Sequence, residues 1–258
     1  MFKAAAAGQA GRAGVFAALL ARAGMEGPHL PFEGKAGWCD HVALNRFALD
    51  SMGGDGTEFK IMDTQIKTRP SSGETSAAIL AAEKIAPLKN INEVQQVIVE
   101  TFRYALDIAG TGEHRWNPDR ESADGSIPYC TAVALMDGTV TPRSYNDAHL
   151  GNTTLHALMQ KIKVIENHEF TLAFERLPVE HRTRVTVVTD SGERLVGEAG
   201  GDQDDLSAPK SDAQIEDKFR GLCEEVLGAK QVNAILERLW NLEQVANVAE
   251  IPHAFVIA

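Results

Sequence analysis

Apolar residues recur at helical spacing near both ends of the chain. The alanine-rich stretch 4–24 places its larger apolar side chains on one helix face: Val15, Leu19 and Leu20. At Ser211, which forms a capping-box pattern with Gln214, an apolar stripe begins that ends at Gly228, and another follows to Trp240. Both ends of the chain are therefore predicted to be helical.

Between these ends, alternation of apolar and polar residues predicts strands. The predicted strands are 97–108, 161–166 and a hairpin over 184–197 that turns at Ser191 and Gly192. The predicted helices are 39–50, 74–85 and 153–160, and residues 60–68 are predicted to be extended. The acidic, turn-rich stretch 200–210 is predicted to be a linker.

This order of elements predicts an α+β fold, with helices first, a mixed strand and helix region next, and helices last. A chain of 258 residues can form one large domain or two small ones. Its 44% hydrophobic and 24% charged residues are typical of a globular protein.

The net charge of −11 argues against a general nucleic-acid-binding protein, because phosphate contacts need a basic surface. A small polyanionic substrate remains compatible, since it needs only a local cluster of lysines and arginines. No segment approaches the roughly 18 apolar residues that span a bilayer, and the N-terminus does not resemble a signal peptide. We therefore predict a cytoplasmic location without membrane association.

The three cysteines, Cys39, Cys130 and Cys223, lie far apart and form no paired motif. Disulfide frameworks, zinc ribbons and iron–sulfur clusters use closer spacings, so we predict no metal and no cofactor. Gly8, Gly11 and Gly14 do not follow a strand and are not followed by Lys and Ser or Thr, which argues against a phosphate-binding loop.

One polar stretch carries the clearest candidate chemistry. Asp124 and Ser126 are good helix N-caps, Pro128 is tolerated near a helix start, and Tyr129 follows in the first turn. A helix N-terminus offers free N–H groups and a partial positive charge. The segment is therefore either an ordinary capped helix with a packed tyrosine or a phenol beside an anion-binding helix end.

Three motifs, in the same order, resemble the MmgE/PrpD family. The first runs from Lys3 through a glycine-rich helix to Pro28, and the second covers residues 31–38. The third is the stretch 119–138, in which a charged loop leads to Ile-Pro-Tyr, an apolar helix and Asp-Gly. Together they span roughly the first half of the chain. The family contains 2-methylcitrate dehydratases and cis-aconitate decarboxylases, so the resemblance implies a lyase acting on a tricarboxylate.

The resemblance also implies a domain organisation. Residues 1–58 would form part of a helical domain, 59–205 a smaller α+β domain, and 206–258 helices that return to the first. Members of the family are much longer, so the resemblance places this chain in their C-terminal portion. It implies that an Asp- and His-bearing part of the active site lies upstream, and that the isolated chain is inactive and forms a homodimer or binds a partner chain.

Site residues follow from the motif positions. The resemblance assigns Lys3, Lys67 and Tyr129 to catalysis, the lysines as carboxylate-binding or catalytic groups and the tyrosine as a proton donor. Arg69, Arg120 and Ser126 are predicted to bind substrate, although Lys3, Lys67, Arg120 and Ser126 are also compatible with surface or capping roles. We predict that Lys3, Lys67 and Tyr129 line one pocket.

Alternatives remain open. Many family members have His at the position of Gly125, and its absence here removes a candidate proton carrier. Within enzymes, the alternatives are a cis-aconitate-type decarboxylase and a dicarboxylate epimerase. Outside the enzymes, the alternatives are a non-catalytic remnant and a partner subunit.

Overall fold

A computed structural model describes residues 2–46, 56–201 and 206–257. The side chains of Phe2, Lys3, Ala4, Lys60 and Asp63 lie outside this description. The chain divides into two compact units, Met1–Thr64 and Gln65–Ala258.

The first unit contains one long helix, α1 (Phe2–Arg22), as the sequence predicted for residues 4–24. Its apolar side chains Val15 and Phe16 are exposed. The predicted helix over 39–50 is wrong for its described part: Cys39–Ala43 forms a single π-helical turn. Leu44 ends this turn at φ 53°, in the left-handed region, where a helix cannot continue.

The second unit contains a four-stranded mixed sheet. Its strands are β1 (Val94–Thr101), β2 (Ile162–Glu166), β3 (Thr183–Thr189) and β4 (Arg194–Ala199), in the order β2-β1-β3-β4. Strand β1 pairs parallel with β2 and antiparallel with β3, and β3 and β4 form the predicted hairpin. All four strands lie between residues 60 and 200, as expected.

Three helices pack against this sheet: α2 (Gly73–Glu83), α3 (Arg103–Ala109) and α4 (Ile127–Asp137). The unit also contains α5 (Asp147–Leu150), α6 (Thr153–Met159), which packs on α4, and α7 (His168–Glu175), which packs on α3. Most residues of α2 and α4 are buried, and the two helices pack on each other. Helix α2 also lies close to strand β4. Gly197 of β4 approaches the carbonyl of Ala81 in α2 so closely that a Cβ on Gly197 would lie 2.0 Å from it.

Two of the secondary-structure predictions are wrong. The predicted strand 97–108 ends at Thr101, and residues 103–109 form helix α3, because burial there follows a helical spacing through Phe102, Ala105 and Ala109. The segment 60–68, predicted to be extended, begins with a 3₁₀ turn over Lys60–Asp63 and contains no strand.

Two helices complete the second unit, α8 (Asp212–Leu227) and α9 (Ala229–Trp240). The capping box of Ser211 and Gln214 is formed, and α8 ends at Gly228 as predicted. Within the stretch 200–210, Leu206 is buried in the core, and residues 202–205 lie outside the described ranges. The α+β fold class is confirmed, whereas the three-part division at residues 58 and 205 stays a prediction.

Candidate functional site

A cavity of about 940 Å³ opens in the second unit, between three parts of the chain. The turn over residues 67–71 forms one wall, the segment 138–142 after α4 forms another, and α8 contributes a third. The cations that line it are Lys67, Arg69 and Lys218. The carboxylates that line it are Glu83, Asp124 and Asp217. Its volume is within the range of small-molecule sites.

The turn that carries Lys67 is held in place at several points. The Lys67 ammonium donates a 2.6 Å hydrogen bond to the Ser71 carbonyl, and Tyr145 donates from its hydroxyl to the Pro70 carbonyl at 2.8 Å. The amide of Ser72 donates to the Asp124 carbonyl at 3.0 Å. An ammonium has three N–H donors, so this geometry leaves Lys67 able to bind a carboxylate in the cavity.

Arg69 is engaged by a carboxylate of the protein. Its Nε and Nη2 donate to the two oxygens of Glu83 at 2.6 and 2.7 Å, a bidentate arrangement. Thr139 donates to the same carboxylate at 2.5 Å. Arg69 therefore reaches the cavity with its charge balanced, and its predicted role in substrate binding stays a prediction.

Lys218 brings a second ammonium to the cavity from α8. Partial burial lowers the pKa of Lys218, and the positive charge of Lys67 lowers it further. The two lysines are thus close enough to interact electrostatically. Lys218 was not singled out in the sequence, because a lone lysine on an amphipathic helix carries no signal; only the packing of α8 places it here.

Tyr129 is buried and does not line this cavity. Its hydroxyl donates a 2.5 Å hydrogen bond to the Ser144 carbonyl, and its ring stacks on Tyr145 at 6.1 Å between centroids. Burial, with smaller contributions from the nearby Cys130 and Asp137, raises the pKa of Tyr129. Because Tyr145 also bonds Pro70, a chain of two contacts connects Tyr129 to the turn that carries Lys67.

The remaining predicted site residues lie in different surroundings. Ser126 is the buried N-cap of α4: its hydroxyl accepts from the Tyr129 amide at 3.1 Å and donates to the Arg115 carbonyl at 2.5 Å. Arg120 is exposed on the loop before α4 and does not line the cavity. Lys3 belongs to the first unit, and its side chain lies outside the described residues. The shared pocket of Lys3, Lys67 and Tyr129 stays a prediction.

In the described ranges, no three His, Cys, Asp or Glu side chains form a group suited to holding a metal ion. No described helix is both long enough and apolar enough to cross a bilayer.

Residues 70–242 match the MmgE/PrpD C-terminal domain. The matched region contains the sheet, α4 with Tyr129, and both α8 and α9, and it begins three residues after Lys67.

Proposed function

This chain belongs to the MmgE/PrpD family of hydro-lyases and decarboxylases, and on that premise we propose that it dehydrates a 2-methylcitrate-like tricarboxylate without a metal. The observation that carries the proposal is the cavity beside Lys67. It combines an ammonium with free donor capacity and a volume suited to a small polycarboxylate.

Dehydration of such an acid requires a group that holds a carboxylate, a base that removes the neighbouring C–H proton, and an acid that protonates the departing hydroxyl. Lys67 is proposed to hold a carboxylate. Lys3 is the candidate for a further carboxylate-binding or catalytic group.

Tyr129 is proposed to be the acid. A tyrosine phenol is protonated at neutral pH and can therefore donate a proton, as a general acid requires. To act, its hydroxyl must exchange the hydrogen bond with Ser144 for one with the substrate hydroxyl. The stacked ring of Tyr145, which also bonds Pro70, supports this assignment by linking Tyr129 to the Lys67 turn.

The proposed enzyme acts as a homodimer or together with a partner chain. Exposed apolar side chains on α1 support this: Val15, Phe16 and Leu19. Contiguous exposed apolar surface favours association in water.

The test is an assay on 2-methylcitrate of each assembly that the purified chain forms, alone or with a partner chain. The unsaturated product is followed by absorbance, and the size of each assembly in solution is measured in parallel. Lys67→Met should lower kcat/KM by roughly 10- to 100-fold, since a hydrogen bond to a charged group contributes about 1.5–3 kcal/mol. Lys89→Met is the matched control, because Lys89 is exposed and does not line the cavity.

Equal activity of the Lys67→Met variant and the wild type would contradict the role of Lys67. Release of CO₂ from cis-aconitate, without water loss from 2-methylcitrate, would replace the dehydratase proposal by the decarboxylase alternative. If the chain and every assembly it forms convert neither acid, the lyase proposal fails and the non-catalytic alternatives gain support.

A further inference from the structure

We infer that Lys218 of α8 is a second carboxylate ligand of this cavity, so that a bound tricarboxylate bridges α8 and the turn that carries Lys67. The inference rests on the proposed function, because it takes its ligand class from that function. It adds a residue and an element that the sequence motifs did not indicate.

One face of α8 forms the cavity wall. Residues Gln214, Lys218 and Leu222 are four apart and therefore lie above one another on a helix, and all three line the cavity. Asp217 and Gly221 lie beside them and also line it. Gly221 has no side chain, and no atom lies within 4 Å of where its Cβ would be. The cavity wall is therefore open at Gly221, one helical turn from Lys218.

Lys218 differs from Arg69 in its partners. Arg69 forms a bidentate ion pair with Glu83, whereas Lys218 forms no hydrogen bond or ion pair with any residue in the described parts of the chain. Its ammonium therefore retains all three donors. Of the cations in this cavity, Lys218 and Lys67 have the greater capacity to bind an external anion.

The electrostatic surroundings of Lys218 are unfavourable without an anion. Burial and the charge of Lys67 both lower its pKa, so both oppose its charged form. The carboxylates facing the same cavity are Asp217 from α8, Glu83 from α2 and Asp124 from the loop before α4, and Glu83 already binds Arg69 and Thr139. A carboxylate between the two ammoniums would replace their repulsion by two attractive contacts.

A ligand that contacts both Lys67 and Lys218 would also hold α8 against the rest of the second unit. Among the described residues, the side-chain ion pair between α8 and the preceding elements of the second unit is Arg143–Glu225, and both side chains are highly exposed. Exposed pairs contribute little to stability. A ligand held by both Lys67 and Lys218 would therefore add a link between α8 and the core, and it should slow the opening of α8.

The experiment measures binding of tricarballylate, a saturated tricarboxylate that has no hydroxyl to lose. Calorimetry on the full chain is expected to show that Lys218→Met weakens binding at least about 10-fold, the loss of a charge-assisted hydrogen bond. Lys218→Arg should retain part of the affinity because it keeps the charge. Lys230→Met, an exposed lysine on α9, is the matched control and should bind as the wild type does.

Hydrogen exchange supplies an independent readout. Tricarballylate should protect amides of α8 in the wild type and in Lys230→Met, and protection should be lost in Lys218→Met. Wild-type affinity and wild-type protection of α8 in Lys218→Met would overturn the inference, as would absence of tricarballylate binding by the wild type.

The two proposals fail separately in these experiments. Binding that depends on Lys218, in a chain that dehydrates no tricarboxylate, would uphold the bridge and refute the dehydratase. Dehydration that depends on Lys67, with tricarballylate affinity and KM unchanged in Lys218→Met, would uphold the enzyme and refute the bridge.

Discussion

The hydroxyl of Tyr129 donates a 2.5 Å hydrogen bond to the carbonyl oxygen of Ser144, 15 residues later in the chain. The next residue, Tyr145, stacks on the Tyr129 ring and bonds the Pro70 carbonyl at 2.8 Å. Two consecutive residues thus join the start of α4 to the turn that carries Lys67. Tyr129 therefore has a structural role in addition to its proposed chemical one.

Tyr129→Phe should separate these two roles. Loss of the hydroxyl leaves the Ser144 carbonyl without this donor in a buried position, which should cost about 1–3 kcal/mol of unfolding free energy. In an active assembly it should also lower turnover more than substrate binding, because a proton donor and not a charge is removed. Urea unfolding and steady-state kinetics below the unfolding transition measure the two effects.

Tyr104→Phe is the control, because Tyr104 is half exposed on α3 and should change stability by less than about 0.5 kcal/mol. Unchanged turnover in Tyr129→Phe would limit Tyr129 to its structural role.

The ion pair between Arg69 and Glu83 should stabilise the second unit. Glu83→Gln keeps the shape but removes the charge that holds Arg69 in two hydrogen bonds, so we expect a loss of about 1–3 kcal/mol. Glu225→Gln, in the exposed pair with Arg143, should cost less than about 1 kcal/mol. Chemical denaturation of both variants makes the comparison, and similar values for the two would show that burial of the Arg69 pair adds nothing.

Replacement by alanine should change the stability of the protein in opposite directions at two glycines. Gly197→Ala places a Cβ 2.0 Å from the Ala81 carbonyl, so β4 and α2 must separate, at a cost of about 1–3 kcal/mol. Gly221→Ala adds a methyl group in open space within α8 and should stabilise the protein by about 0.5–1 kcal/mol. Thermal or urea unfolding of the pair provides the test, and a destabilised Gly221→Ala would show that the α8 wall is closely packed.

Stability should fall at alkaline pH because of two buried tyrosines. Burial raises the pKa of Tyr129 and of Tyr145, so the folded state retains protons that the unfolded state loses above the usual tyrosine pKa of about 10. Their contribution is fully present below that pH and is lost as pH rises above it toward the raised values. The unfolding free energy, measured across this pH range, should fall less steeply with pH in Tyr129→Phe than in the wild type. Identical slopes would contradict the raised pKa of Tyr129.

Local sequence signals were sufficient to predict where several helices and strands begin or pair. The Ser126 cap with Pro128 predicted the start of α4, and the capping box at Ser211 predicted the start of α8. Each signal lies within one turn of the feature it specifies, so the contacts that form it are close in sequence. The hairpin β3–β4 was predictable for the same reason, since a short turn fixes the pairing of adjacent strands.

The segment 97–108 shows where a local pattern was insufficient. Alternating apolar residues favoured one long strand, but the chain enters helix α3 directly after Phe102. Phe102 and Ala105 are both buried, and α3 packs on α7 and α2. Packing against other elements decides between strand and helix when a short apolar run fits both periods.

The sequence by itself determined the helix caps, the hairpin, the α+β class and the family motifs, because each depends on residues that are near one another or on their order along the chain. Tertiary structure alone decided that Lys218 and Lys67 line one cavity, that Glu83 holds Arg69, and that Ser144 holds Tyr129. These pairs join segments far apart in the chain, and their geometry follows from how helices and loops pack around the sheet. A side chain's partner is fixed by that packing, which no periodicity in the sequence encodes.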